Sequence, residues 1–193
     1  KACAKLKYGS DDLNGKKIMV QGVGHVGEYL VEYLSKEGAE IFISDIHQDT
    51  LSRISKEYGA TQVDLNDVYD LDMDIYAPCA LGGTLNDETI TRLRCQIVAG
   101  AANNQLKDED IHGRALLDKE ILYAPDFAVN AGGVINCFSE VEGLSSEWAL
   151  QKAQDIYHTI YDIVQRSQNE KIPAHLIAMK MAEEKINAVH KPL

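Results

Sequence analysis

Apolar positions along this chain recur with two periods, and the switches between them divide it into elements. "KKIMVQGVG" (16–24) is a continuous apolar run ending in glycines, which suits a parallel strand buried on both faces. From 25 to 36 the period changes. Val26, Leu30, Val31 and Leu34 recur at helical spacing, and Gly38 ends the element. "AEIFISDI" (39–46) is a second β-rich run that finishes on an acid. A helix through "TLSRISKEYG" (50–59), closed by Gly59, and a short strand "TQVD" (61–64) complete a βαβαβ unit.

The alternation continues with a fourth strand in "DMDIYAPCA" (72–80) and a helix in "NDETITRLR" (86–94), with Asn86 at its N-cap and Thr89 in the first turn. "QIVAGAAN" (96–103) and "ILYAPD" (121–126) supply strands five and six. Beyond residue 130 the strand signal stops. One long helix is expected over 145–171 with Ser145 as N-cap and Trp148, Ala149, Ile156, Ile160 and Ile163 along one side. Pro173 opens a last helix over 174–191, with Ile177, Met181 and Ile186 as core positions. "KACAKLKYG" at the start reads as the last turns of a helix closed by Gly9, as though the helix began upstream. The pattern predicts an α/β fold: a doubly wound, mostly parallel sheet of about six strands with flanking helices and a helical C-terminal extension.

Composition narrows the function. A length of 193 residues suits one large domain or one and a half, and 45% hydrophobic with 25% charged residues is ordinary for a globular protein. The net charge of -11 opposes binding to nucleic acid, where Lys and Arg must neutralise phosphates. Cys3, Cys79, Cys95 and Cys137 form no Cys-x-x-Cys pair, so neither a metal site nor a disulfide framework is expected, and reduced thiols point to the cytoplasm. No apolar run approaches the roughly 20 residues that span a bilayer, and no signal sequence is visible, so no membrane partner is expected.

The chemistry begins at "VQGVGHVG". In a Gly-x-Gly-x-x-Gly turn between a strand and a helix, Gly22 permits the tight turn, Gly24 lets the backbone approach a pyrophosphate, and Gly27 allows close helix–strand packing. Free N–H groups at His25 and Val26 and the positive end of the helix dipole then face the phosphates. Asp45 closes the next strand 18 residues past Gly27, where an acid accepts both hydroxyls of the adenosine ribose and repels a 2′-phosphate; NAD is favoured over NADP. Ile46 beside it is counted with the same site. The plain alternative for Asp45 is a solvated strand-end carboxylate. His25 is read as a polar helix-opening residue near an anion rather than an acid or base.

Ligands of such sheets lie beyond the carboxyl ends of the strands, so "PCALGGTLND", "GAANNQL" and "PDFAVNAGGVIN" should line the cleft. Asn103, Asn104, Asn130 and Asn136 offer amides that donate and accept toward a carboxamide or ribose, though each could equally cap a helix or a turn. Cys79 has no base nearby in sequence and is read as a backbone contact rather than a nucleophile.

Taken together, "VQGVGHVG", "DIYAPCALGGTLNDETI", "AGAANNQL" and "APDFAVNAGGVIN" resemble the cofactor domain of the Glu/Leu/Phe/Val dehydrogenase family, and within it the leucine dehydrogenase branch. The resemblance runs from about residue 1 to 190 and implies reversible oxidative deamination of a branched-chain L-amino acid to its 2-oxo acid with NAD. By it, Gly22, Gly24, His25, Val26 and Gly27 are the pyrophosphate loop and Asp45 the ribose acid. Cys79, Ala80 and Leu81 run along the cofactor; Ala102, Asn103 and Asn104 lie near the nicotinamide. Asn130 belongs to the Asn-Ala-Gly-Gly-Val motif, and Val134 and Cys137 border the substrate side chain. Two positions depart from the family pattern: Asn is common where His25 stands, and valine where Cys137 stands.

The resemblance also implies a preceding domain with a Gly-Gly-x-x-Lys-type segment and two lysines, one holding the substrate carboxylate and one acting as the general base that activates water, together with an acid. The Gly-Gly pairs here, at 82 and 132, are followed by threonine and valine, so no catalytic residue is expected on this chain and the fragment alone should be inactive. Residues 1–193 then form an NAD-binding domain, with 10–144 as its Rossmann core and 1–9 and 145–193 as hinge and bracing helices, in a homo-oligomer when full length. Valine and phenylalanine dehydrogenases are the near alternatives, and a stand-alone NAD-sensing module without catalysis is the alternative from another class.

Overall fold

Alternating apolar residues send successive side chains to opposite faces of a strand, and here they seed two cores. The computed structural model describes residues 1–189. Its strands are β1 (Lys17–Gln21), β2 (Glu40–Ser44), β3 (Thr61–Gln62), β4 (Ile75–Pro78), β5 (Ile97–Val98) and β6 (Leu122–Tyr123). Helix α1 (Ala2–Tyr8) precedes them, and α2 (His25–Lys36), α3 (Gln48–Tyr58), α4 (Asp87–Arg92) and α5 (Glu109–Asp118) lie between them. After β6 come α6 (Asp126–Val129), α7 (Gly132–Val141), α8 (Ser146–Gln154), α9 (Ile156–Glu170) and α10 (Ala174–Val189). The six strands form one sheet in the order β3-β2-β1-β4-β5-β6, and every pairing is parallel. That is the Rossmann-type, doubly wound arrangement, with its switch point between β1 and β4.

Ile18 and Val20, Ile41 and Ile43, Ile75 and Ala77, Ile97 and Leu122 all enter one cluster, which α1, α2, α3 and α9 cover with residues such as Ala4, Val31, Ile54 and Val164. Their strand neighbours Met19, Tyr76, Val98 and Tyr123 enter the other, under Ile90, Leu93 and Leu116. Each fully buried aliphatic side chain contributes roughly 1.5–3 kcal/mol relative to exposure, so a sheet with both faces covered is held from both sides. A smaller cluster of Ile163, Ala174, Ile177 and Ala178 seats α10 on α9. Among the described residues no helix is long and apolar enough to cross a membrane.

Local expectations meet mixed outcomes. Asn86 caps α4, its Oδ1 accepting from the N–H groups of Glu88 and Thr89 at 3.1 Å each, and Ser145 Oγ accepts from Trp148 N–H at 3.2 Å. The strands are shorter than the apolar runs, because the residues after Gln21, Ser44, Pro78 and Val98 peel away from the ladder into loops. Helices α5, α6 and α7 had no counterpart in the pattern. Helix α5 opens on two acids behind its Asp108 cap and α7 on two glycines, so neither displays a clean apolar stripe where it starts. The single long helix expected over 145–171 is two, broken at Asp155, since Trp148 of α8 packs on Phe138 of α7 (ring centroids 5.9 Å apart) while Ile160 and Ile163 of α9 turn into the buried clusters. Ile186, expected in the core, is 58% exposed, because α10 extends beyond the cluster that buries Ile177; Met181 is only half-buried. The expected end of the last helix at 190–191 lies outside the described residues.

Helix α10 also buries a titratable group. His175 is 3% exposed, neither of its ring nitrogens has a hydrogen-bond partner, and its ring lies against the Cα of Gly113 on α5. Burial pushes its pKa below the ordinary 6.5, opposed by the charges of Glu109 and Asp110. The folded state therefore holds the neutral ring, while the unfolded chain takes up a proton as pH falls below about 6.5. The stability contribution is fully present above that pH and declines below it. Thermal melts followed by circular dichroism between pH 7.5 and 5.5 are expected to show a melting temperature that drops more steeply for the native chain than for His175→Leu. Parallel slopes would show that the ring does not carry this dependence.

Candidate functional site

The reversal after β1 is tightly packed. Gly22 has φ +95°, and a Cβ there would lie 2.7 Å from both the Cβ and the backbone N of Ala80, in the loop after β4. Its N–H donates to Ser44 O at 2.8 Å, joining the turn to the end of β2. A Cβ at Gly27 would lie 2.0 Å from Gly22 O, so the first turn of α2 closes directly on the reversal. Gly24 is different: a Cβ there would meet no protein atom within 4 Å. Packing within the protein gives no reason for glycine at that position, whereas close approach of a phosphate to the backbone does. As the first N–H groups of an α-helix, those of His25, Val26 and Gly27 have no intrahelical acceptor, and the helix dipole adds partial positive charge. His25 is exposed and packs edge-on against Tyr29, ring centroids 5.3 Å apart.

Asp45 stands over the same turn. Its Oδ2 accepts from Val23 N–H and its Oδ1 from His47 N–H, each at 2.8 Å. Two backbone donors set the carboxylate's orientation, and each oxygen keeps acceptor capacity for a hydroxyl. Ile46 is exposed beside it.

Three loops complete the cleft wall. Cys79 N–H donates to Gln21 O at 2.7 Å, and burial raises the Cys79 thiol above its ordinary range, which keeps it protonated and a poor nucleophile. Ala80 presses on Gly22, and Leu81 projects from the same loop, 80% exposed. The loop is stitched to the one after β5 by Gly83 N–H to Asn104 O (2.7 Å), Leu85 N–H to Gln105 O (3.0 Å) and Lys107 N–H to Leu85 O (2.9 Å). Ala102 is buried, with its N–H on Pro78 O at 3.0 Å, and Asn104 adopts the left-handed φ of 51°. Asn130, after α6, donates through Nδ2 to Asn103 Oδ1 at 2.5 Å. The loops after β4, β5 and β6 thus form one connected surface beside the glycine turn.

Not every expected amide belongs to that surface. Asn136 donates to Glu140 Oε1 along α7 at 2.9 Å. Val134 and Cys137 are exposed one turn apart on α7; Val134 lines a hollow of about 550 Å³ with Ile135, Phe138 and Trp148, and Cys137 does not. Gln105 and Asp126, both buried between the second and third loops, were not among the residues expected there. Their signal was available: polar residues set among apolar neighbours, directly after a strand or inside a glycine- and asparagine-rich loop. Among the described residues no cluster of three or more His, Cys, Asp or Glu could hold a metal ion.

A family model described as Glutamate/Leucine/Phenylalanine/Valine dehydrogenase matches residues 43–191. The chain belongs to this family. It is 47% identical over 191 residues to leucine dehydrogenase from Thermoactinomyces intermedius, covering 99% of this chain and 52% of that protein. Phenylalanine dehydrogenase from the same organism is 40% identical over 188 residues, covering 96% and 51%. The crystal structure of L-tryptophan dehydrogenase from Nostoc punctiforme superposes with a TM-score of 0.95 at 40% identity, over 97% of this chain and 56% of that one. The chain therefore spans about half the length of the relatives it matches.

The glycine turn makes a paired prediction for this family member. Gly22→Ala combines a left-handed φ with a clash against Ala80, and a loss of about 2–4 kcal/mol is expected in denaturant unfolding. Gly24→Ala has no protein atom to meet, and a change within about 1 kcal/mol is expected, as for an N-cap substitution. Equal losses for the two would contradict the assignment of structural and ligand-facing glycines.

Proposed function

We propose that this chain is the NAD-binding part of an L-amino acid dehydrogenase of the leucine branch, which deaminates a branched-chain L-amino acid oxidatively and reversibly to its 2-oxo acid. The observation that carries the reading is the glycine turn with Asp45 latched to it through Val23 N–H. First-turn N–H groups of α2 receive the two phosphates, with Gly24 allowing the approach. Asp45, held from two sides, accepts from the adenosine ribose hydroxyls and repels a 2′-phosphate, which favours NAD over NADP. Cys79, Ala80 and Leu81 flank the dinucleotide, and Ala102, Asn103, Asn104 and Asn130 face its nicotinamide end. When bound, the cofactor supplies the hydride acceptor.

Removing a hydride from an amino acid's Cα further requires a cation to pin the carboxylate and a base for the ammonium. We assign both to two lysines of the kind the family carries in a domain with a Gly-Gly-x-x-Lys-type segment, a motif that residues 1–193 do not contain. Val134 and Cys137 carry no cation for a second carboxylate, which supports an aliphatic substrate over glutamate. The higher identity to leucine dehydrogenase than to phenylalanine dehydrogenase, 47% against 40%, supports a branched-chain substrate. An oligomeric, cytoplasmic enzyme goes with this reading.

Calorimetry on the 193-residue chain is expected to show NADH binding, NADPH binding at least about tenfold more weakly, and about tenfold loss of NADH affinity in Asp45→Ala with the discrimination narrowed. No heat at millimolar NADH would remove the cofactor from the reading. In a separate absorbance assay, the chain alone is expected to form no NADH from leucine and NAD; robust turnover would place the base on these residues after all.

A further inference from the structure

Gln105 and Asp126 occupy the space between the second and third loops of the cleft. Gln105 is completely buried; its Nε2 donates to Gly100 O at 2.8 Å and to Ala102 O at 3.0 Å, closing the loop on itself. Two carbonyl acceptors fix which end of the amide faces them, since only nitrogen donates. Its Oε1 is left buried without a partner. A methionine of similar length would fill the space without an orphaned oxygen, so the amide's presence follows the shape of the loop rather than general packing.

Asp126 grips the same loop from the other side. Its Oδ2 accepts from Gln105 N–H at 2.9 Å and its Oδ1 from Phe127 N–H at 2.7 Å. Asp126 is the first residue of α6, and Asn130, just past the last, donates to Asn103 at 2.5 Å. Asn130 N–H in turn donates to Asp126 O at 2.9 Å, so one helical turn holds the loop by two side chains. Asn130 holds the segment Ala102 to Asn104 at Asn103, and Asp126 holds it at the next residue, through Gln105 N–H. Displacements of about an ångström at a reacting centre cost rate steeply, and loops achieve such precision only when supporting residues restrain them.

We propose that Gln105 and Asp126 are positioning residues for the nicotinamide end of the dinucleotide, keeping Ala102, Asn103 and Asn104 in register with Asn130 from behind the cleft surface. The proposal rests on the dinucleotide reading of the glycine turn.

The test compares NADH with ADP-ribose, which keeps the adenosine and both phosphates but lacks the nicotinamide. Both ligands are titrated calorimetrically into the 193-residue chain, and the fluorescence of bound NADH is recorded. Gln105→Met and Asp126→Asn are expected to weaken NADH by about tenfold, to move its emission toward that of free NADH, and to change ADP-ribose affinity by less than about twofold. Equal losses for both ligands, unchanged NADH binding in a folded variant, or failure of both variants to fold would each overturn the positioning role and leave only a structural one. Asp126→Asn keeps the volume and one acceptor, so it decides the matter if Gln105→Met alone does not fold. A native chain that binds neither ligand sinks the dinucleotide reading itself and the proposal with it, whereas a native chain that binds both isolates any failure to the positioning claim.

Discussion

Between β1 and α2 the backbone must pass through a left-handed residue while Ala80 presses on the same Cα, and only glycine meets both demands at position 22. This contact ties together elements far apart in sequence. It brings the loop after β4 against the turn after β1, and the Gly22 N–H bond to Ser44 O brings in the end of β2. Gly27 then lets α2 start directly on the reversal, so the helix N-terminus points its free N–H groups over the switch point of the sheet. The orientation of Asp45 depends on the same turn, because one of its two backbone donors is Val23.

The chain carries a net charge of -11, and several of its arginines are engaged with its own acids. Arg53 makes a bidentate contact with Glu28 at 2.7 and 2.8 Å, Arg92 pairs with Asp70 at 2.7 Å, and Arg166 reaches both oxygens of Glu184 at 2.8 Å. Arg53 holds the Glu28 carboxyl below its usual range, and Arg92 does the same for Asp70. Backbone N–H groups at a helix start offer partial positive charge to an anion without a free cation.

The remaining cleft wall is built from loops that would be mobile singly. Backbone bonds through Gly83, Leu85 and Lys107 join the second loop to the first, and α6 joins the third to the second through Asp126 and Asn130. Loop-borne residues thereby acquire the restraint of the sheet beneath them. Helices α8, α9 and α10 lie outside this stitching, with α9 on the sheet's first face and α10 seated on α9.

Much of this was legible in the order of residues. Runs such as "KKIMVQGVG" and "AEIFISDI" carry the strand period, and the glycine spacing with an acid at the next strand's end carries the turn between β1 and α2 with Asp45 beside it, because each depends on neighbours within one or two elements. The break at Asp155 and the exposure of Ile186 were not legible, since they follow from which other helix each segment meets. Helix α7 was hidden by the Gly132–Gly133 pair that opens it. The contact between Asp126 and Gln105 belongs to tertiary structure for the same reason: the two residues lie on separate loops, and only the folded sheet brings those loops within hydrogen-bonding distance. Local periodicity determined the strands, the helices between the first of them, and the glycine turn, while long-range packing decided which polar side chains face each other behind the three loops.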